Sequence, residues 1–289
     1  MTYIFTMIFL HDFRDLQGQS TETLAHTFNE AFSDYIVPMH LTPSILEVKM
    51  KAENLRREWS MGAFNGNSLG GFVLHGVNHE PDPTVLYNGG TGVIPAYRGQ
   101  HLIQKMYQHF IPHYQDKGIR KIYLEVISSN LPAIKAYTNS GFHKMRMFHC
   151  YKGTVTVHTT TPGISIRETD APEWAVLSTF MDMEPSWSNA VASIKREYPA
   201  TGTWEAVLDG QVVGYISIHK ESKRIRNIAV HPDFRRRGIG STLLQHVSGI
   251  LGGPMSIINI DEKNPEIGAF LEKSGLPHYL SQYEMAIEM

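Results

Sequence analysis

The chain has 289 residues and a formal net charge of -2, with 42% hydrophobic and 19% charged residues. Its length exceeds the roughly 100–200 residues of a typical domain, so the sequence predicts two domains. The composition is that of a folded globular protein and excludes long disordered segments. A nearly neutral chain provides no global field that attracts polyanions, which excludes bulk nucleic-acid binding.

Three further features concern location, membranes and metals. A single cysteine, Cys150, cannot form an internal disulfide, which predicts a reducing, cytoplasmic environment. The apolar start MTYIFTMIFL lacks a basic region and a cleavage site and ends before His11, so we expect a first strand and no membrane association. No His-x-x-x-His pair with an evident third ligand stands out among the fifteen histidines, so no metal is expected.

Hydrophobic periodicity predicts helices and strands throughout the first half of the chain. Two helices, STETLAHTFNEAFSDY and TPSILEVKMKAENLRREW, precede a hairpin of MGAFN and LGGFVLHGV that turns at Gly66 and Asn67. The strand TVLYNGGTGVI comes next. A helix, a strand, a helix and a strand then follow, in the segments HLIQKMYQHFIPHYQDKG, IRKIYLEVI, NLPAIKAYTNSG and FHKMRMFHCYKG.

The second half repeats this order after a Thr- and Gly-rich stretch at residues 151–163. We therefore predict an N-terminal domain at 1–153 and a C-terminal domain at 154–289. Arg235 follows Arg98 by 137 residues and Asn264 follows Asn130 by 134, as a duplicated unit requires. The predicted elements are ISIRETD, APEWAVLSTFM, a hairpin TWEAVLDGQVVGYISIHK turning at Asp209-Gly210, RIRNIAV, GIGSTLLQHVSGIL, PMSIINI, NPEIGAFLEKSG and the closing strands of LPHYLSQYEMAIEM.

The stretch HPDFRRRGIG, residues 231–240, connects a predicted strand directly to a predicted helix. Unpaired amides and the helix dipole attract anions at such a helix start, and Gly238 and Gly240 permit close approach of a pyrophosphate. The three arginines at 235–237 add positive charge, although taken alone they also fit a solvated basic turn. The spacing excludes a Walker loop, which needs Gly-Lys-Ser/Thr, and a dinucleotide fingerprint, which needs a third glycine.

Two motifs recur in the same order in both halves. The first, Arg/Gln-x-x-Gly-x-Gly/Ala after a strand, is matched by Arg235, Gly238 and Gly240. The second, an Asn and then a helix ending in Tyr-x-x-x-Gly-Phe, is matched by Asn130, Tyr137, Gly141 and Phe142. Together they resemble the GNAT superfamily of acyl-CoA N-acyltransferases, as a tandem pair of domains, and the resemblance covers essentially the whole chain.

The resemblance implies an α/β (α+β) fold of two GNAT-like domains, each a mixed, largely antiparallel sheet with splayed central strands flanked by helices. It implies acetyl-CoA as cosubstrate, held by backbone amides with its thioester between the fourth and fifth strands. In the first half the implied contacts are Val93, Arg98, Gly99, Gln100, His101, Leu102, Ile103 and Asn130. In the second half they are Val230, Arg235, Arg236, Arg237, Gly238, Ile239, Gly240, Ser241 and Asn264.

Each half lacks a different part of these motifs. His101 and Ile103 stand where the second half has Gly238 and Gly240. Backbone amides survive these substitutions, so we expect pyrophosphate binding to persist if both residues keep negative φ. His101 then either donates a hydrogen bond to phosphate or only caps or covers the helix start.

Phe270 occupies the position in the second half that Tyr137 has in the first. The resemblance implies that Tyr137 protonates the departing CoA thiolate, a role that a phenyl ring cannot fill. The alternative for Tyr137 is simple packing on an amphipathic helix. Tyr279 and Tyr283 are near Phe270 in sequence and are candidates to supply the missing phenol, although nothing in the sequence places either hydroxyl.

The implied reaction is direct attack of an uncharged amine on the thioester, with a strand amide near Val93 stabilising the oxyanion. Glu125, on the strand YLEVI, is the candidate base that accepts the proton of the amine. The alternative for Glu125 is a surface carboxylate that faces solvent or pairs with Lys121 or Arg120.

The acceptor, a small-molecule or peptide amine, is expected at FSDYIVPMHLTPS, where Asp34, Tyr35 and His40 are candidate contacts. We therefore predict an acetyl-CoA-dependent N-acetyltransferase with its chemistry in the first half, and we leave the oligomeric state open. One alternative is a non-catalytic acyl-CoA-binding sensor or scaffold. Another is catalysis in the second half without a tyrosine acid.

Overall fold

The computed structural model describes residues 12–34, 40–79, 83–158 and 160–289, and the strand predicted in residues 1–10 lies outside these ranges. The described residues divide into two compact units. Unit 1 contains the described residues up to Val126 together with Asn130–Met145 and Glu284–Met289. Unit 2 contains Ile127–Ser129 and Arg146–Tyr283.

Unit 1 is a sheet with flanking helices. Its strands are β1 (Asp12–Asp15), β2 (Leu55–Asn65), β3 (Ser68–Val77), β4 (Val85–Val93) and β5 (Lys121–Ile127). Its helices are α1 (Thr21–Ala31), α2 (Pro43–Glu53), α3 (Leu102–Asp116) and α4 (Leu131–Asn139). The strands pair in the order β1-β2-β3-β4-β5, antiparallel except for the parallel pair β4–β5.

Unit 2 repeats this arrangement. Its strands are β6 (His143–Gly153), β7 (Ile164–Thr169), β8 (Thr201–Leu208), β9 (Gln211–His219), β10 (Arg224–Val230), β11 (Met255–Asp261) and β12 (His278–Glu288). Its helices are α5 (Trp174–Leu177), α6 (Val191–Glu197), α7 (Ile239–Leu251) and α8 (Pro265–Lys273). Strands β11, β10, β9, β8 and β7 are neighbours in that order, and of these four pairs only β10–β11 is parallel. The predicted fold class is confirmed.

Strands β6 and β12 each run from one unit into the other. Residues 146–153 of β6 belong to unit 2, where β6 pairs with β11 from Gly153 opposite Met255 to Phe148 opposite Asp261. The end of β12 belongs to unit 1, where the Met289 N–H donates to the Arg120 carbonyl at 2.9 Å. The compact units therefore differ from the predicted division between residues 153 and 154, because the last strand of each half pairs within the other unit.

Three predicted elements have different limits in the structure. The helix predicted to reach Trp59 ends at Glu53, because Asn54 adopts the left-handed conformation (φ 55°) and the chain continues as β2. The closing strands form the single strand β12, and α6 was not predicted. The helix predicted in APEWAVLSTFM is one turn, α5, followed by a short 3-10 turn at Ser178–Phe180.

The parallel central strands separate in both units. β4 pairs with β5 only as far as Asn88 opposite Leu124, although β4 continues to Val93. In unit 2 the pairing of β10 with β11 ends at Ile225 opposite Ile257. A register shift just beyond each last pair places an extra residue in β4 and in β10, which bends the strand away from its partner. Each unit therefore has a gap between its two parallel strands.

Candidate functional site

The gap in unit 2 opens into a cavity of about 650 Å³ at the start of α7. Its lining includes residues from β10, β11, α8 and the turn before α7. Eight of the predicted cofactor contacts are among the lining residues: Val230, Arg235, Arg236, Gly238, Ile239, Gly240, Ser241 and Asn264. The turn, the helix start and the strand gap thus face one cavity.

The backbone of this turn depends on residues with positive φ. Arg236 (φ 62°) and Gly238 (φ 82°) are left-handed, and α7 begins at the next residue, Ile239. A Cβ at Gly240 would lie 3.4 Å from the ring of Phe270, so that ring packs against the first turn of the helix. The helix start has no side-chain cap, which leaves its amide groups for an anion.

Two of the three arginines in the turn make hydrogen bonds within unit 2. Arg235 donates from Nε to the Val230 carbonyl (3.0 Å) and from its two terminal nitrogens to Asp182 (2.6 Å) and the Phe180 carbonyl (2.9 Å). Arg237 donates to the Asp233 carbonyl at 2.9 Å. The expectation that the three arginines add charge around a phosphate stays a prediction, and the guanidinium of Arg235 is already engaged by these contacts.

Arg98 in unit 1 makes the same set of contacts. It donates from Nε to the Val93 carbonyl (3.2 Å), to the Ala31 carbonyl (2.9 Å) and to both oxygens of Asp34 (2.6 and 2.8 Å). The hydrogen bond from Arg98 lowers the pKa of the Asp34 carboxyl, and Asp34 raises the pKa of Arg98. Asp34 is thus engaged with Arg98, which argues against its predicted role as an amine contact.

The turn before α3 has the same pattern of backbone conformations as the turn before α7. Gly99 (φ 78°) and His101 (φ 56°) are left-handed at the positions of Arg236 and Gly238. The condition of a negative φ, under which pyrophosphate binding was expected to persist, is therefore not met at His101. His101 also makes no side-chain cap hydrogen bond, so the capping alternative is wrong as well. Leu102, Ile103 and Gln100 complete this turn and the first turn of α3.

The direction of the strand amides agrees between the units. The Ile94 N–H donates to the Gly70 carbonyl of the strand pair β3–β4 (3.0 Å). Because successive amides of a strand point to opposite edges, the Val93 N–H points to the gap side. In unit 2 the His231 N–H donates to Val213 (2.9 Å), so the Val230 N–H points to its gap by the same argument.

Tyr137 lies on α4 and is 8% exposed, with its ring 5.9 Å from that of Phe142. Asn130 caps α4 through its side chain, which accepts from the Ala133 N–H at 3.2 Å. In unit 2 Phe270 lines the cavity, whereas Tyr279 and Tyr283 are not among its lining residues. The position of the implied acid is therefore a phenyl ring in unit 2.

Glu125 is the first residue of β5 beyond the last pair with β4, so it stands where the two strands separate. Its Oε2 accepts a hydrogen bond from the Tyr87 hydroxyl at 3.1 Å. Lys121 forms its ion pair with Glu288 (2.7 Å), which corrects the alternative that Lys121 pairs with Glu125. Ile258 and Asn259 follow the last pair in unit 2, so no carboxylate occurs at that point.

The acceptor side of the site was predicted least completely. Tyr35 lies outside the described residues, and His40 is exposed. The unit 2 cavity is also lined by residues that the sequence motifs did not indicate, including Met181, Met183, Glu184, Asp261 and Lys273. The sequence did contain a signal for Asp182, which also lines the cavity. An acidic residue follows the first helical segment in each half, at Asp34 and at Asp182.

Within the ranges that the structure describes, no three His, Cys, Asp or Glu side chains are grouped so that they could hold a metal ion. In the same residues, no helix has the length and apolar character needed to cross a membrane.

Splayed parallel strands, a bulged strand and a helix start that faces the gap define an acetyltransferase-type α/β fold, present twice in one chain. The model of the Acetyltransferase (GNAT) family matches residues 22–142 and 168–275, and the chain belongs to this family. Family members transfer acyl groups from acyl-CoA, and the fold is that of an N-acetyltransferase-type enzyme. A comparison with curated proteins finds no match.

Solved structures with the same fold span nearly the whole chain. A tandem GNAT protein from the clavulanic acid biosynthesis pathway is 13% identical, covers 96% of this chain and 98% of its own, and has a TM-score of 0.71. A GCN5-related N-acetyltransferase from Sphaerobacter thermophilus is 16% identical, with coverages of 96% and 95% and a TM-score of 0.72. A putative acetyltransferase from Pyrococcus horikoshii is 13% identical, with coverages of 96% and 89% and a TM-score of 0.69.

Proposed function

We propose that the protein is an acetyl-CoA-dependent N-acetyltransferase that acts on a small-molecule or peptide amine and performs its chemistry in unit 1. The observation that carries this proposal is that Glu125 stands at the separation of β4 and β5 in the unit that also has Tyr137. Unit 2 has Phe270 in place of the tyrosine and no carboxylate at the strand separation. We also propose a cytoplasmic setting, since the single cysteine, Cys150, cannot form an internal disulfide.

In the proposed mechanism, Glu125 accepts the proton that the amine must lose, directly or through water. The amine nitrogen then forms a bond to the thioester carbonyl carbon, and the Val93 N–H stabilises the oxyanion that develops. As the carbon–sulfur bond breaks, Tyr137 donates a proton to the thiolate. The amide nitrogen then loses its second proton, through water, to the Tyr137 phenolate, and Glu125 releases its proton to solvent. The products are an amide and a free CoA thiol.

Unit 2 is proposed to bind acyl-CoA without transferring its acyl group. The cavity of about 650 Å³, the uncapped α7 and the closely packed Gly240 fit a pyrophosphate and the arm attached to it. The chemistry of the lining is also suitable, since Arg236 stands at the cavity and the contacts of Arg235 hold the turn in place.

The proposed function is tested by measuring free thiol released from acetyl-CoA with a panel of amines. We expect turnover with at least one amine and a 100-fold or larger loss of kcat in Glu125→Gln. Thiol release with longer acyl groups, such as propionyl-CoA and butyryl-CoA, shows whether the acetyl group is preferred. Measurable acyl-CoA binding with no turnover for any amine would instead support the sensor or scaffold.

A further inference from the structure

A chain of polar side chains crosses the interior of unit 1. His75 on β3 and Tyr107 on α3 are fully buried, and Asn88 on β4 is 6% exposed. Burying such groups is costly unless each one is hydrogen-bonded, so the contacts of these three side chains determine whether they can be tolerated.

The donor and the acceptor can be assigned for each hydrogen bond that links His75, Tyr107 and Asn88. His75 Nδ1 lies 2.8 Å from the Trp59 carbonyl, which can only accept, so Nδ1 carries the proton. His75 Nε2 therefore accepts, from the Tyr107 hydroxyl at 3.4 Å. The Tyr107 oxygen in turn accepts from Asn88 Nδ2 at 3.0 Å. Burial lowers the pKa of His75 to about 4 and raises the pKa of Tyr107 well above its usual value, so both groups are neutral near pH 7.

The chain ends on the bulge of β4. Asn88 Oδ1 accepts from the Gly90 N–H and from the Thr91 hydroxyl, both at 3.0 Å. Asn88 is the last residue of β4 that pairs with β5, and Gly89 is the extra residue that breaks the register with β3. The side chain of Asn88 thus satisfies a backbone amide that the bulge removes from the sheet.

Unit 2 has no polar chain at the equivalent positions. Strand register places Ile218 and Ile225 where unit 1 has His75 and Asn88, and the 137-residue offset places Leu244 at the position of Tyr107. All three are fully buried hydrocarbon side chains. The bulge and the strand separation therefore form without polar residues, and the fold alone does not explain their presence in unit 1.

We propose that Asn88, Tyr107 and His75 are positioning residues, which fix the bulge of β4 so that the Val93 N–H stays aimed at the thioester carbonyl. The inference rests on the proposed function, because it assigns these residues to the unit that performs the chemistry. Val93 lies three residues beyond Gly90, so a change in the bulge moves this amide directly. A shift of a few tenths of an ångström weakens a hydrogen bond that forms fully only in the transition state.

The test compares Tyr107→Phe with Tyr114→Phe. Both variants remove one hydroxyl from a fully buried tyrosine of α3. The Tyr114 hydroxyl donates to the Trp59 carbonyl (2.6 Å) and lies 3.3 Å from His75 Nδ1, so these neighbours are on β2 and β3 and not on the bulged strand β4. We expect Tyr107→Phe to lower kcat by 10- to 100-fold with less than a 3-fold change in KM for acetyl-CoA. We expect Tyr114→Phe to keep kcat within 3-fold of the wild type. Equal kcat values for the two variants would overturn the inference.

A second measurement does not depend on turnover. Hydrogen exchange of the segment 88–93 should quicken at least 10-fold in Tyr107→Phe and stay unchanged in Tyr114→Phe. Unchanged exchange in both variants would contradict the inference even if no amine is acetylated. Conversely, quickened exchange together with a wild type that transfers no acetyl group would refute the proposed function and leave the bulge contacts in place.

A third variant guards against simple misfolding. His75→Ile, Asn88→Ile and Tyr107→Leu combined give unit 1 the hydrocarbon set that unit 2 already uses. We expect this variant to fold with a cooperative transition and to retain less than 5% of the wild-type kcat. Full activity in a folded protein of this composition would overturn the inference.

Discussion

At the scale of single residues, the buried imidazole of His75 links stability to pH. Its pKa of about 4 in the folded protein lies below the ordinary value of 6.5, because burial disfavours the charged ring. Its neighbours Tyr107 and Tyr114 stay neutral in this range. Between these two pH values only the unfolded chain binds the proton, so the free energy of unfolding falls as the pH falls. Linkage gives a loss of about 2 kcal/mol between pH 7 and pH 5.

The measurement is urea unfolding at pH 7 and pH 5 for the wild type and for His75→Ile. The wild type should lose about 2 kcal/mol more than the variant over this interval, by the same linkage relation. An identical pH dependence in the two proteins would show that His75 is protonated as readily in the folded state as in the unfolded chain.

His101 supports a second prediction at this scale. A side chain at φ 56° is strained, so His101→Gly should raise the free energy of unfolding by about 1 kcal/mol. Gln100→Gly, at a position without positive φ, should lower it by about 0.5–1 kcal/mol. Acetyl-CoA affinity should remain within 3-fold in His101→Gly. A 10-fold loss of affinity would mean that the imidazole contacts the phosphate after all.

At the scale of elements, the end of β12 completes the unit that is proposed to catalyse. Met285 and Ala286 are fully buried, and a Cβ at Gly141 would lie 2.9 Å from Ile287. Deleting residues 284–289 should therefore expose β5 and the end of α4, abolish turnover and leave acetyl-CoA binding to unit 2. Hydrogen exchange of residues 121–127 and calorimetric binding measure the two effects. Turnover that survives the deletion would contradict this role of β12.

The sequence predicted most elements and their order because hydrophobic period and turn chemistry are local properties. The hairpin at Asp209 and Gly210 is an example, since both residues adopt the positive φ that such a turn requires. The division of β6 and β12 between the two units was not predictable in this way. It depends on which strand, distant in sequence, each of them pairs with. The end of α2 was predicted wrongly, because the hydrophobic pattern around Asn54 suits a continued helix as well as a helix that ends there.

The motifs predicted where the site lies, but they did not predict the roles of its charged side chains. Arg98 and Arg235 match a motif, and their partners are set by carbonyl groups at the ends of other elements, which no local pattern reveals. The polar chain through His75 was equally hidden, because a single histidine in an apolar strand is ordinary in sequence. Only the strand register places His75 opposite Asn88, at the point where unit 2 has Ile218 opposite Ile225.

At the scale of the whole molecule, the two units are proposed to divide binding and chemistry. Gly238→Trp places a large side chain at a left-handed position on the rim of the unit 2 cavity, so it should weaken acyl-CoA binding there at least 10-fold. Turnover in unit 1 should stay within 3-fold. Gly249→Trp is the matched control, since a Cβ at Gly249 meets nothing within 4 Å and the variant should leave both properties unchanged.

Calorimetric titration with acetyl-CoA separates the sites, because loss of the unit 2 site reduces the number of molecules bound per chain. A variant Gly238→Trp that loses turnover while Gly249→Trp keeps it would place the chemistry in unit 2, against the division of roles described above.

The most direct measurement for the central claim is kcat for Tyr137→Phe with the best amine of the panel. If Tyr137 protonates the thiolate in unit 1, removing its hydroxyl should lower kcat by about 100-fold, within the usual range for general acid catalysis, with acetyl-CoA affinity preserved. Tyr114→Phe, which also loses one buried hydroxyl, should remain near the wild type. A Tyr137→Phe protein as fast as the wild type would contradict the assignment of the chemistry to unit 1.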